Sequence, residues 1–394
     1  MRKRFAIFLA ALVSLLIVAA ACTKPADDGA GGDDKAKKVI KIAYVGPKTG
    51  DAANLGLNIL AGVQLAVEEA NKSGDLDVTI KLEEFDTQGD PAQAQTLKDK
   101  FISDKEIIGI VGPAFSGESK AVLPSLDEAG LVMVSASATN AGLPTVVADT
   151  KVFHRVIPDD DVQGKGLTDY FVKVLKPKSV AYVHDNSEYG KGLSDGTQKL
   201  NEDAGLKTAV VEAVDPKASD FSAAVNKVKG SGADLLFYGG YYAEAGRLAK
   251  QLKDGGYKGK FISGDGALDP GFVQNAGSQG EGALISCPCK LATEDGEGDL
   301  GTFAKAYKAK HNKVPGTYST EGYDSANILI EGISKGNTTR EKLLQFVEEL
   351  DSFAGVSKDI SFEDNGNVKS SDVFVYEIKG GKIVLVGGTA ELTK

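Results

Sequence analysis

From Val39 onward the chain alternates short apolar runs with amphipathic segments, and the whole series starts again after Pro158. Such alternation leaves few options, because strands separated by helices form parallel sheets covered on both faces. In the first series, strands are expected over 39–45, 79–85, 107–111 and 131–134. The run 107–111 is continuously apolar, as a strand buried on both faces should be. Leu60, Val63 and Val67 recur at helical spacing, and Asn71-Lys72-Ser73-Gly74 ends that helix. Pro91, following Asp90, opens a helix that runs to about Ser103, and a further helix covers 117–129. In the second series, helices are expected over 162–175, 192–204, 221–229 and 244–253, with strands over 179–183, 207–214, 234–238 and 260–263. Helices then return over 299–312, 321–335 and 339–350. A hairpin follows, 373–378 and 382–386, turning at Gly380-Gly381.

Two such series imply an α/β protein of two doubly wound lobes. Helices that complete one lobe after the other is finished require several chain crossings, hence a hinge and a cleft. The expected division is 39–157 plus 288–371 for lobe 1 and 158–287 plus 372–394 for lobe 2. About 355 residues lie beyond Lys38, more than one hydrophobic core usually organises.

The N-terminus reads differently. Arg2, Lys3 and Arg4 precede an apolar run from Phe5 to Ala21 that only Ser14 interrupts. A charged head, a short apolar run and small residues form the layout of a secretory signal, expected here over 1–21. Residues 22–38 are rich in Asp, Gly, Lys, Ala and Pro and read as a flexible tether. Without the signal the chain carries 42 Lys and Arg against 55 Asp and Glu, a balance of −13. That balance argues against nucleic acid or an anionic membrane face as partner. The spacing of Cys287 and Cys289 is too close for a relaxed disulfide, and two ligands do not close a zinc site. The three histidines, His154, His184 and His311, all lie away from the cysteines in sequence. Neither a metal nor a cofactor is expected. Cys287 and Cys289 read as small buried thiols at a strand end, either free or oxidised to one another.

Several short motifs carry a resemblance. They are Val111-Gly112-Pro113-Ala114-Phe115-Ser116, Val134-Ser135-Ala136-Ser137-Ala138-Thr139, Tyr182-Val183-His184-Asp185 and Glu188-Tyr189-Gly190. Phe237-Tyr238-Gly239-Gly240-Tyr241, Gly264-Asp265-Gly266 and Glu321-Gly322-Tyr323-Asp324 complete the set. In this order, and over nearly the whole chain beyond Val39, they resemble type I periplasmic solute-binding proteins of the branched-chain amino acid (leucine/isoleucine/valine) class. Val18-Ala19-Ala20-Ala21-Cys22 likewise resembles a lipobox, which implies a lipid on Cys22 and a tether to a membrane.

The resemblance implies an importer's binding component that closes on an apolar α-amino acid and passes it to an ABC permease. A monomer outside the cytoplasm, without enzymatic activity, is expected. By the same likeness, Ser116 and Thr139 hold the ligand carboxylate from helix N-termini, with the nearby backbone of Ala138. Free amides at helix starts favour an anion on independent physical grounds. The ammonium meets the carbonyl of Ser137 and the side chain of Asp265. Tyr189 and Tyr241 cover the ligand from the second lobe. Leu55, Ala114, Phe115 and Tyr318 form an apolar side-chain pocket. Leu55 stands where the related proteins have tyrosine, a change expected to widen that pocket. Phe115 and Gly89 stand where they have a disulfide. A sensor of the same fold acting on a membrane signalling partner is the alternative. No Gly-x-Ser-x-Gly elbow or Cys–His arrangement supports a hydrolase.

Overall fold

The computed structural model describes residues 37–394; the expected signal, Cys22 and most of the tether lie outside the described residues. The chain runs β1 (Lys38–Gly46), α1 (Ala53–Ser73), β2 (Val78–Asp86), α2 (Pro91–Ser103), β3 (Ile107–Val111), α3 (Ser116–Glu128), β4 (Val132–Ser135) and β5 (Phe153–Arg155). These five strands pair in the order β2-β1-β3-β4-β5, every neighbour parallel. Next come α4 (Asp160–Tyr170), β6 (Ser179–His184), α5 (Glu188–Asp203), β7 (Lys207–Ala213), α6 (Ser222–Ser231), β8 (Leu235–Gly239), α7 (Tyr242–Asp254), β9 (Lys260–Ser263), α8 (Pro270–Ala276) and β10 (Leu284–Cys287). The chain then supplies α9 (Gly298–His311), α10 (Ser319–Ser334), α11 (Arg340–Glu348) and a small pair, β11 (Phe353–Ala354) with β12 (Asp359–Ile360). It closes with β13 (Phe374–Lys379), β14 (Lys382–Gly388) and α12 (Thr389–Leu392). The second sheet has the order β14-β13-β10-β9-β8-β6-β7, with β13 and β14 antiparallel to their neighbours.

Local chemistry explains the element ends. Asp90 accepts hydrogen bonds from the Ala92 and Gln93 amides, and Pro91 occupies the first turn, so α2 starts as the sequence predicts. Gly74 ends α1 in the left-handed region at φ 83°. Gly380 and Gly381 both have positive φ, the backbone that a two-residue hairpin turn requires. Every residue of β3 is buried.

The late helices return to the first sheet. α1 and α10 approach so closely that a Cβ on Gly62 would lie 2.2 Å from the Ser319 carbonyl oxygen, and one on Gly322 2.5 Å from that of Ile59. Leu329 of α10 and Leu343 of α11 close over Gly109 of β3. The chain therefore passes between the sheets three times: after β5, after β10 and after β12. Cys287 and Cys289, at the second passage, are joined as a disulfide and buried.

Candidate functional site

A cleft runs between the carboxyl ends of the parallel strands of the two sheets, where strand-to-helix turns present side chains and free amides. From the first sheet, Ser116 opens α3 with only 1% of its surface exposed. The carboxylate of Glu118, in the first turn of that helix, accepts the Phe115 N–H at 2.8 Å. The second sheet repeats the device: Glu244, in the first turn of α7, accepts the Tyr241 N–H at 2.8 Å. Both acids are buried, which pushes Glu118 up to about 7 and Glu244 up to about 8. The two residues so anchored meet across the cleft, with the Phe115 and Tyr241 rings 4.7 Å apart. Tyr189, at the start of α5, lies 5.2 Å from Tyr241.

Asp265 stands opposite Ser116, in a single 3₁₀ turn after β9, and is 1% exposed. One carboxylate oxygen accepts the Tyr189 hydroxyl at 2.8 Å and the other accepts the Tyr318 hydroxyl. Burial pushes this carboxyl up, while the Tyr318 and Tyr189 hydroxyls pull it back toward the ionised form. The Tyr189 oxygen also accepts the Gly266 N–H at 2.8 Å, so the phenol is fixed from both sides. Ser137 donates its hydroxyl to the Ala114 carbonyl at 2.6 Å.

Phe115, Ser116, Ser137, Tyr189, Tyr241, Asp265, Gly266 and Tyr318 line one narrow cavity. It encloses about 190 Å³ of space between atoms, of which about 10 Å³ admits the centre of a water molecule. That is room for roughly one water. The cleft is shut by contacts outside the cavity as well. Lys120 pairs with Glu188 at 2.8 Å, Asn140 Nδ2 donates to the Glu188 carbonyl at 2.8 Å, and Asn54 Nδ2 donates to Asp269 at 2.9 Å.

The structure thus brings Ser116, Ser137, Tyr189, Tyr241, Asp265, Phe115 and Tyr318 together. Four expected residues stand off the cavity surface. Leu55 and Ala114 are buried in the first lobe's core among Tyr44, Ile59 and Val111. The pocket is therefore narrow and aromatic where the change at Leu55 suggested a wider one. Thr139 and Ala138 are wholly buried beside it. Thr139 is not at the start of an α-helix. Asn140 turns the chain by accepting the Gly142 N–H at 2.8 Å, and only a 3₁₀ turn, Leu143–Thr145, follows. Asp185, after β6, is buried and accepts the Ser187 amide at 2.9 Å and its hydroxyl at 2.7 Å.

Two residues at the site lay outside the sequence expectations. Arg155, with no exposed surface, donates to the carbonyls of Ala138 and Asn140 at 3.0 and 2.9 Å, on either side of Thr139. Asp160, 3% exposed, adjoins Asp265 and Thr139. Its N–H donates to the Thr139 carbonyl at 2.9 Å. Within the acidic run Asp159-Asp160-Asp161, Asp159 caps α4 through the Val162 amide, Asp160 is buried and Asp161 is exposed.

Residues 39–382 match the family described as periplasmic binding protein. The leucine-, isoleucine-, valine-, threonine-, and alanine-binding protein of Pseudomonas aeruginosa is 29% identical over 345 residues, covering 87% of this chain and 90% of the relative. A Leu/Ile/Val-binding protein of Rhizobium johnstonii is 31% identical over 351 residues, with 88% and 93% covered. The crystal structure of a leucine-binding protein from Thermotoga maritima superposes with a TM-score of 0.82 at 27% identity, covering 89% of this chain and 98% of that one. A substrate-binding protein of a branched-chain amino acid transporter from Streptococcus pneumoniae, solved with isoleucine, gives 0.81 at 27%, covering 89% and 100%.

Proposed function

Because the chain belongs to the periplasmic binding protein family, we propose that it closes on an apolar α-amino acid, of the leucine, isoleucine and valine class, for an ABC importer. The observation that carries this reading is Asp265, buried and held by Tyr189 and Tyr318, facing the free amides at the start of α3. An ammonium at one end and a carboxylate at the other match that pair of charges. Ser116, Thr139 and the amides around Ala138 hold the carboxylate, and the Ser137 carbonyl shares the ammonium with Asp265. Phe115, Tyr189, Tyr241 and Tyr318 enclose the side chain. A ligand that touches both sheets favours the closed form and shifts the population toward it.

The lobes divide at 157/158, 287/288 and 371/372, a division supported by the membership of the two sheets. The protein works outside the cytoplasm as a monomer, tethered through a lipid on Cys22, and hands its ligand to a permease. No helix among the described residues is long and apolar enough to cross a membrane. A thermal-shift screen of the purified protein against the twenty amino acids, followed by calorimetry, tests the assignment. Stabilisation by leucine, isoleucine or valine supports it. A screen in which no amino acid raises the Tm refutes it.

A further inference from the structure

Three successive carbonyls of the turn after β4 are held by one short stretch of chain. Arg155, at the end of β5 and without exposed surface, donates to Ala138 at 3.0 Å and to Asn140 at 2.9 Å. The Asp160 N–H donates to the carbonyl between them, that of Thr139, at 2.9 Å. A peptide unit is planar and trans, so a carbonyl and the N–H that follows it point opposite ways. With the Ala138 carbonyl drawn to Arg155, the Thr139 N–H is turned away from the guanidinium. The neighbouring amides are engaged. Those of Ser137 and Ala138 donate to the Ser135 hydroxyl at 3.5 and 3.1 Å, and that of Asn140 donates to the Ser116 hydroxyl at 3.1 Å. Thr139 is wholly buried, yet its N–H has no acceptor among the described residues. Orphaned buried amides are rare, and this one belongs to the residue assigned above to the ligand carboxylate.

The same guanidinium reaches the first and third passages between the sheets. It pairs with Asp159 at 3.2 Å, and its Nε donates to Asn367 Oδ1 at 2.8 Å. Asn367 Nδ2 in turn donates to Asp159 at 3.1 Å, and Asp159 caps α4 through the Val162 amide. The backbones are tied as well, since the Arg155 N–H donates to the Gly366 carbonyl at 3.0 Å. Gly366, at φ 82°, comes so close that a Cβ there would lie 1.8 Å from the Phe153 carbonyl oxygen. One planar cation with its donors in a fixed fork thus serves four acceptors.

Arg155 does not line the cavity. Resting on the amino-acid reading above, we propose that Arg155 is a positioning residue, which sets the Thr139 N–H for the ligand carboxylate and links that setting to the first and third passages. The start of α4 and the third passage must then both be seated for the amide to face the ligand. Asn367 acts in the same unit, through Arg155 and Asp159, without touching the turn.

The test uses Arg155→Lys and Asn367→Ala, singly and together, in the full-length protein, with the amino acid that binds wild type best. Lysine keeps the charge, but three donors on a flexible stem do not span four acceptors. Calorimetry should show at least a tenfold loss of affinity for Arg155→Lys and at least a threefold loss for Asn367→Ala. The double variant should bind no more weakly than Arg155→Lys alone, since both changes disturb one unit. Hydrogen exchange separates positioning from general destabilisation. At saturating ligand, the protection of residues 136–141 seen in wild type should be lost in Arg155→Lys, with exchange in α1 and α10 unchanged. Smaller losses of affinity, additive losses, or exchange that rises in α1 and α10 as well overturn the proposal. Should Arg155→Lys fail to fold, Asn367→Ala decides by the same affinity and exchange criteria. Wild type that binds no amino acid overturns the underlying functional reading, and this inference with it. Wild type that binds while the variants bind equally well overturns the inference alone.

Discussion

Tyr318 reaches Asp265 from a backbone held in the left-handed region, at φ 67°, just ahead of α10. A tyrosine gains nothing locally from that conformation, which is uncommon for residues other than glycine. The strain is offset by what it positions: a phenol from a first-lobe helix start that donates to a buried acid beyond β9. Tyr318→Phe removes one donor from a charged acceptor, a contact worth about 1.5–3 kcal/mol. Calorimetry should register a ten- to hundredfold weaker ligand, and an affinity within threefold of wild type would detach Tyr318 from the site. Asp265→Ala should cost at least tenfold while the circular dichroism spectrum stays native.

The anion end is tested by pairing Ser116→Ala with Thr139→Val. Removing both hydroxyls leaves the amides of α3 in place, so binding should weaken strongly without vanishing. An unchanged dissociation constant in the double variant would refute the carboxylate assignment.

Glu118 and Glu244 make stability depend on pH. Burial raises both above the ordinary glutamate value of 4.5, to about 7 and about 8. Between those limits the folded protein retains protons that the unfolded chain has released. Their contribution is therefore fully present below pH 4.5 and is lost as pH rises through 7 and 8. Wild-type Tm should fall across that interval. Glu118→Gln with Glu244→Gln should flatten the fall, because glutamine still accepts the Phe115 and Tyr241 amides and does not titrate. A double variant whose Tm profile keeps the wild-type slope would contradict this.

Phe115 sets the width of the cavity. Its ring lies against Tyr241 and fills the space over Gly89, where a Cβ would come within 3.1 Å. Phe115→Ala should lower the Tm, as loss of a buried aromatic ring does. It should also raise the ratio of phenylalanine to alanine affinity at least tenfold. A ratio that does not move would mean that the side-chain pocket lies elsewhere.

Much of the fold was legible because helix signals and buried runs are local. α2, β3 and β9 fall where Asp90-Pro91, the apolar run 107–111 and the run 260–263 put them. β5 was not legible: it has three residues, two of them His154 and Arg155, and its burial comes from tertiary packing. α8 was missed although Asp269-Pro270 is a helix-start signal, because seven residues make too short a period to stand out. At the site, residues just after strands were readable from motif order. Asp160 and Arg155 were not, since their partners lie on segments far away in sequence. Nor does sequence tell that Leu55 turns into the core.

The close fit of α1 against α10 bears on how the molecule is made. Gly62 and Ser319 touch, yet roughly 250 residues of translation separate them. Until α10 is synthesised, the early strands lack part of their cover, and neither half exists as one uninterrupted piece of polypeptide. A nascent chain halted before Ser319 should stay sensitive to protease, and a gene cut between the two sheets should not yield independently folding fragments. Three passages also mean that nicking any one of them leaves the halves covalently joined.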